Sequence, residues 1–232
     1  MIRVRSVLFG LVLAVSAGAH AQLPSGLTMP PLKYNAALLM LPPVQKELNL
    51  TPDAATKLQT AVASDIMGMA SMLTGSKGGQ PQSTSDPIKN RAKILASLES
   101  MQKKALPYLS ATQRVRLHQV SLQAYGPTAL ADPGIAAEIG LSAKQQGILK
   151  SKFAQIAATV PSPFSGAKPG DPTNVQSIMA GSQKYFMAIR TRSEQILPSV
   201  LTPHQLGAWK TTLGRPFDFG LLGALGPMLG SL

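Results

Sequence analysis

Beyond residue 21 the chain carries two histidines, His118 and His204, and its ten Asp and Glu residues are scattered singly. A nucleophilic triad needs Ser or Thr, His and Asp brought together, and no motif here places them. There is no HExxH pair, no acidic calcium loop and no glycine-rich phosphate cradle. Thiol chemistry is excluded because the chain has no cysteine. His204 stands in the first turn of a capped helix, and His118 lies between Arg114, Arg116 and apolar neighbours, so both read as surface or packing residues. No catalytic residue, enzyme activity, cofactor or metal is expected. The nearest approach to a metal site is Met67, Met69 and Met72 with Asp65 nearby. Thioethers suit Cu(I), but Met69 falls on an apolar stripe, where flexible methionines fill a core or an adaptable face for varied apolar partners.

The elements that must position these residues are helices. Leu58, Val62, Ile66, Met69 and Leu73 recur at helical spacing and predict a helix from about Pro52 to Leu73. Ile88, Ala92, Leu95, Leu98, Met101 and Ala105 predict a second from Pro87 to Leu106, and a third runs from Ala111 to Tyr125. Further on, Ile148, Phe153, Ile156 and Val160 stripe one helix, and Val175 to Ile196 stripe a long one. Leu206, Trp209 and Leu213 end the pattern. No segment alternates with β-branched enrichment, so no sheet is expected.

The pattern repeats. Val44 to Thr51 matches Ile135 to Ser142, and Leu106 to Gln113 answers Leu197 to Gln205, each about 91 residues on, which predicts a tandem duplication. Breaker-rich loops, Thr74 to Pro87 and Pro161 to Thr173, also correspond. The expected fold is all-α, two tandem helical units of about three helices each. The divisions are residues 1–21 as a signal peptide, 22–42 as a Pro-rich lead-in arm with at most a short helix around Asn35 to Met40, 43–126 and 127–214 as the two units, and 215–232 as an apolar Gly-rich tail.

One motif recurs as Leu-Ser/Thr-x-x-Gln: Leu109, Ser110 and Gln113; Leu141, Ser142 and Gln145; Leu201, Thr202 and Gln205. At Leu50 and Thr51 a fourth copy has lost its Gln to Ala54. The spacing is that of a capping box, in which the hydroxyl accepts from the N3 amide and the Gln reaches back to the cap's own N–H. Repeated boxes opening amphipathic helices in a basic, cysteine-free chain resemble the LTxxQ-motif family of Spy- and CpxP-like periplasmic helical proteins, over about Val44 to Leu213. That resemblance implies helical, often dimeric cradles, some acting as ATP-independent chaperones that hold unfolded clients on a basic, partly apolar face. The chain differs in length and in holding two units, which points to an internal pseudo-dimer as the alternative to a homodimer.

Arg3 and Arg5, the apolar run Val7 to Val15 and the Ala19-His20-Ala21 site form a secretory signal, so cleavage near Ala21 and a periplasmic or secreted location are expected. Later stretches are too broken to span a membrane. Without Arg3 and Arg5 there remain 20 Lys and Arg against 10 Asp and Glu. Such an excess favours acidic partners; without an Arg-rich block or interleaved aromatics, nucleic acid is not expected among them. The expected function is a non-enzymatic, Spy-like holding chaperone for unfolded or envelope proteins, with anionic envelope surfaces as further partners. Candidate client contacts are Met67, Met69 and Met72 with Lys103, Lys104, Arg114, Arg116, Lys150, Lys152, Arg190 and Arg192. The alternatives are a metal-responsive or envelope-stress sensory or inhibitory partner, and a structural component of the cell envelope.

Overall fold

The computed structural model describes residues 33–74, 87–161 and 174–219, with the backbone alone for 69–74, 87–92, 94, 95, 174–183 and 186. The signal segment, most of the lead-in arm, residues 75–86 and 162–173 of the breaker-rich loops and the tail past Phe219 lie outside the described residues. Among the described residues the fold is all-α, with no strand. A 3-10 turn at Ala36–Met40 leads into α1 (Pro42–Glu47), α2 (Pro52–Thr74), α3 (Pro87–Ala105), a 3-10 turn at Leu106–Tyr108 and α4 (Ala111–Tyr125). A second 3-10 turn at Gly126–Ala131 then leads into α5 (Pro133–Glu138), α6 (Ala143–Thr159), α7 (Asn174–Val200) and α8 (Pro203–Leu213).

Two short helices, α1 and α5, escape a periodicity reading because six residues hold less than two turns. Both begin with Pro at the first helical position and end in the same way. Asn49 (φ 50°) and Gly140 (φ 69°) take the left-handed conformation. Beside them Leu50 N–H donates to Gln45 O and Leu141 N–H to Ala136 O, closing a Schellman turn in each case. The leucine of the Leu-Ser/Thr motif is therefore also the last residue of the preceding turn.

The sequence places at most a short helix around Asn35 to Met40 within a lead-in arm. In the fold Ala36–Met40 form a turn with Ala36, Leu38, Leu39 and Met40 buried in the first of two cores. That core also takes Val44, Leu58, Val62, Met101 and Leu117; the second takes Leu130, Ile135, Leu149, Phe153, Leu201 and Trp209. α2 packs on α3, and α6 on α7. α4 belongs to both cores, giving Leu117 and Val120 to the first and Leu122 and Tyr125 to the second, and it packs on α8. Pro107 ends α3 one residue early in a 3-10 turn, whereas α7 continues through Pro198 to Val200. No described helix is long and apolar enough to cross a membrane.

Candidate functional site

The three intact motifs form complete capping boxes at Ser110, Ser142 and Thr202. Thr51 keeps the cap alone, its hydroxyl accepting from Ala54 N–H at 3.2 Å. Each Gln does more than cap. Gln113 Nε2 donates to Leu48 O at 2.9 Å, and Gln205 Nε2 to Gly140 O at 2.7 Å, so each braces the left-handed turn of its own half. Gln145 donates to Val200 O and to Gln205 Oε1 at 2.8 Å, and Gln205 donates back to Gln145 Oε1 at 3.2 Å. The two boxes of the second half thus interlock through their amides. In the first half, where Ala54 stands at the corresponding position, Gln113 spans the gap alone.

α4 is the centre of a larger arrangement, because its two faces hold two chain segments that come from opposite ends. On one face His118 and Ser121 grip the lead-in. Ser121 Oγ accepts from Asn35 N–H at 2.9 Å, and Tyr34 meets the His118 ring edge-on at 5.8 Å. His118 Nδ1 lies 2.7 Å from Lys33 O and therefore donates to it, while Nε2 lies 2.9 Å from Glu138 Oε2. A ring carrying a proton on each nitrogen would satisfy both acceptors at once. Lys33 Nζ reaches the other Glu138 oxygen at 2.9 Å. An open cleft of about 400 Å³, lined by Lys33, Asp132, Ile135 and Glu138, lies beside this clasp.

On the other face Arg116, Gln119 and Gln123, at steps of three and four residues, meet the segment that leaves α8. Gln123 Nε2 donates to Leu213 O and Arg215 O at 2.7 and 2.8 Å, and its Oε1 accepts from Phe217 N–H at 2.7 Å. Arg116 donates to Arg215 O and to Gln119 Oε1. Glu47 Oε1 accepts from both Arg116 Nε and Arg215 Nη2, each at 2.6 Å. The chain enters this path through Gly214 (φ 64°, ψ −158°), a conformation open essentially to glycine, and a Cβ there would collide with the Gln119 side chain.

Glu47 and Glu138 occupy matching places at the ends of α1 and α5. Each takes one partner from α4, Arg116 or His118, and one basic side chain, Arg215 or Lys33, from a chain segment beyond the two pairs of long helices. Sequence reasoning missed both. The signal was present, since the two anchor segments that reveal the repeat share a glutamate at this position.

Of the basic residues named as client contacts, several are engaged within the fold. Arg116 is mostly buried, and Arg114 Nε donates to Leu106 O and Leu109 O at 3.0 Å. Lys104 pairs with Asp65 at 2.8 Å, Arg190 with Glu194, and Arg192 donates to Thr159 Oγ1. Lys103 and Lys150 are exposed and Lys152 half-buried. His204 is exposed. Met67 is 69% exposed, while the Met69 and Met72 side chains lie outside the described residues. Among the described residues no group of three or more His, Cys, Asp or Glu is placed to hold a metal ion.

Burial acts to raise the pKa of Glu138, but the hydrogen bonds and charges of Lys33 and His118 outweigh it and leave the carboxyl below its ordinary value of 4.5. Lys33 is raised above 10.5, chiefly by its hydrogen bond to Glu138. A depressed carboxyl stabilises the fold above its unfolded pKa, and that contribution disappears as pH falls through the folded value; for raised Lys33 the loss comes on the alkaline side. The protection factor of the Asn35 amide, its exchange rate relative to the free-peptide rate at the same pH, is therefore expected to fall as pH drops below about 4.5. In Glu138→Gln that protection factor should already be several-fold lower near neutrality and change little with acid. Equal acid sensitivity in the two proteins would break the link between clasp and lead-in.

No known protein family, curated protein or solved structure matches the chain.

Proposed function

We propose that this is a non-enzymatic holding protein of the cell envelope, exported by its amino-terminal signal. In this reading it binds unfolded or envelope proteins without ATP, as the resemblance to Spy-like members of the LTxxQ-motif family implies. The observation that carries it is the exposure of Met67 (69%) on α2 and Met187 (59%) on α7, one in each long helical pair, with Val115 and Ile148 also open to solvent. An exposed methionine is a flexible apolar contact that adapts to many partners. The excess of Lys and Arg brings acidic chains in from a distance, over a range that salt shortens.

The two halves act as an internal pseudo-dimer in this proposal. Supporting it are the matched order of turn, short helix and capped helices, a core in each half, and the packing of the last helix of one half on that of the other. The test is suppression of aggregation of a reduced or heated client, without nucleotide and at low salt. Near-stoichiometric protein should suppress it, and Met67→Ser/Met187→Ser should reduce that effect several-fold while leaving helicity unchanged. Failure of the unaltered protein to suppress aggregation at any ratio would end the proposal.

A further inference from the structure

After α4 and after α8 the chain passes through a glycine of nearly the same conformation, Gly126 (φ 61°, ψ −154°) and Gly214 (φ 64°, ψ −158°), yet the two paths then diverge. Gly126 turns directly into the buried 3-10 turn that opens the second half. Past Gly214 the chain instead bends at Arg215 and runs as irregular, non-helical backbone over the first half. There Phe217 and Phe219 pack, half-buried, against its core, while Arg215, Pro216 and Asp218 stay exposed. From Phe217 to Phe219 burial alternates, as it does in a peptide lying along a surface.

The way this segment is held differs from the way the rest of the molecule is packed. Gln123 contacts only its main chain, as donor to Leu213 O and Arg215 O and as acceptor from Phe217 N–H, and Arg116 adds a second bond to Arg215 O. Such contacts are indifferent to side-chain identity. Selection is left to Glu47, which pairs with the basic side chain, and to the apolar surface that takes the two aromatic rings. Main-chain bonds for affinity and alternate side chains for selection are the features of an extended-peptide docking groove.

We propose that the groove between Glu47 of α1 and Gln123 of α4 is a peptide-docking site. It receives an extended segment of a partner polypeptide with a basic residue two positions ahead of the first of two alternate aromatics, and Arg215–Phe219 is its built-in occupant. The site stands apart from the exposed methionines, so it survives or fails independently of the holding function. A tethered occupant acts at an effective concentration on the order of millimolar, so partner peptides compete with it and bind weakly until it lifts.

The test uses the full chain and a fluorescent peptide with the sequence of residues 214–219. Phe217→Ser/Phe219→Ser in the protein weakens the internal occupant, and this variant should bind the peptide at least roughly tenfold tighter than the unaltered protein does. Adding Gln123→Ala should abolish that gain, and a peptide with both Phe replaced by Ser should not bind. If the variant does not fold, hydrogen exchange in the unaltered protein decides the matter: saturating peptide should accelerate exchange at the Phe217 amide and leave Asn35 unchanged. A folded variant that binds no peptide, or a Phe217 amide unmoved by peptide, would overturn the proposal. So would dimerisation of the unaltered chain with no peptide uptake, which would assign the groove to a second copy. Aggregation suppression measured on the same samples distinguishes loss of this groove from loss of the holding surface.

Discussion

Trp209→Ala is expected to lower the unfolding free energy by about 3–5 kcal/mol, the range for truncating a buried aromatic residue to alanine. Trp209 is the single tryptophan of the chain and is 4% exposed, in the second core on α8. Its place makes the loss more than a local cavity. α8 is the helix that packs on α4, and its last turn delivers Leu213 and Gly214 to Gln123 and Gln119. Loosening α8 should therefore release Arg215–Phe219 as well, and exchange at the Phe217 amide should rise further than exchange at Asn35, on the opposite face of α4. Urea unfolding followed by far-UV circular dichroism gives the free energy, with an unchanged m-value certifying that the native and denatured states remain comparable. His204→Ala, in the exposed first turn of the same helix, should stay within about 0.5 kcal/mol. A Trp209→Ala loss below about 1 kcal/mol would mean that the second core does not depend on this ring.

Long helices were legible in the sequence because an apolar stripe over many turns has no other economical explanation; the forecast for Pro52 to Leu73 misses α2 by one residue. The boxes were legible because a cap is a local structure whose partners lie three residues apart. What was not legible is what those same residues do at a distance. Nothing around Gln145 signals that its amide meets that of Gln205, sixty positions on. Arg116 illustrates the limit from the other side. An arginine between apolar residues on a helix reads as a surface cation, and only the fold brings Glu47 and the Arg215 carbonyl to it. His118 reads from the sequence as a surface or packing residue, and in the fold it packs against Tyr34, but its two nitrogens also meet residues 85 and 20 positions away. The short helices α1 and α5 carry the glutamates on which both arrangements depend, and they are too brief for any period to betray them.

The matching glutamates give unequal expectations. Glu47 and Arg116 are 18% and 11% exposed, and one Glu47 oxygen serves two guanidinium groups. Glu47→Gln removes the countercharge and leaves the Arg116 guanidinium, whose Nη2 already lacks a hydrogen-bond partner among the described residues, charged in a mostly dry place. Removing one partner of such a buried pair costs about 3–5 kcal/mol, most of it from the charge left behind. Glu138 is 29% exposed and Lys33 55%, so water compensates Glu138→Gln and its cost should be about 1 kcal/mol or less. Arg215→Ala, at 69% exposure, should likewise cost little, which separates the buried arm of the Glu47 arrangement from the exposed one. Urea unfolding of the three variants at neutral pH ranks them directly. If Glu47→Gln and Glu138→Gln lose the same small amount, Arg116 is solvated in the folded protein, and the end of α1 is held to α4 by the Gln113–Leu48 hydrogen bond and packing rather than by this ion pair.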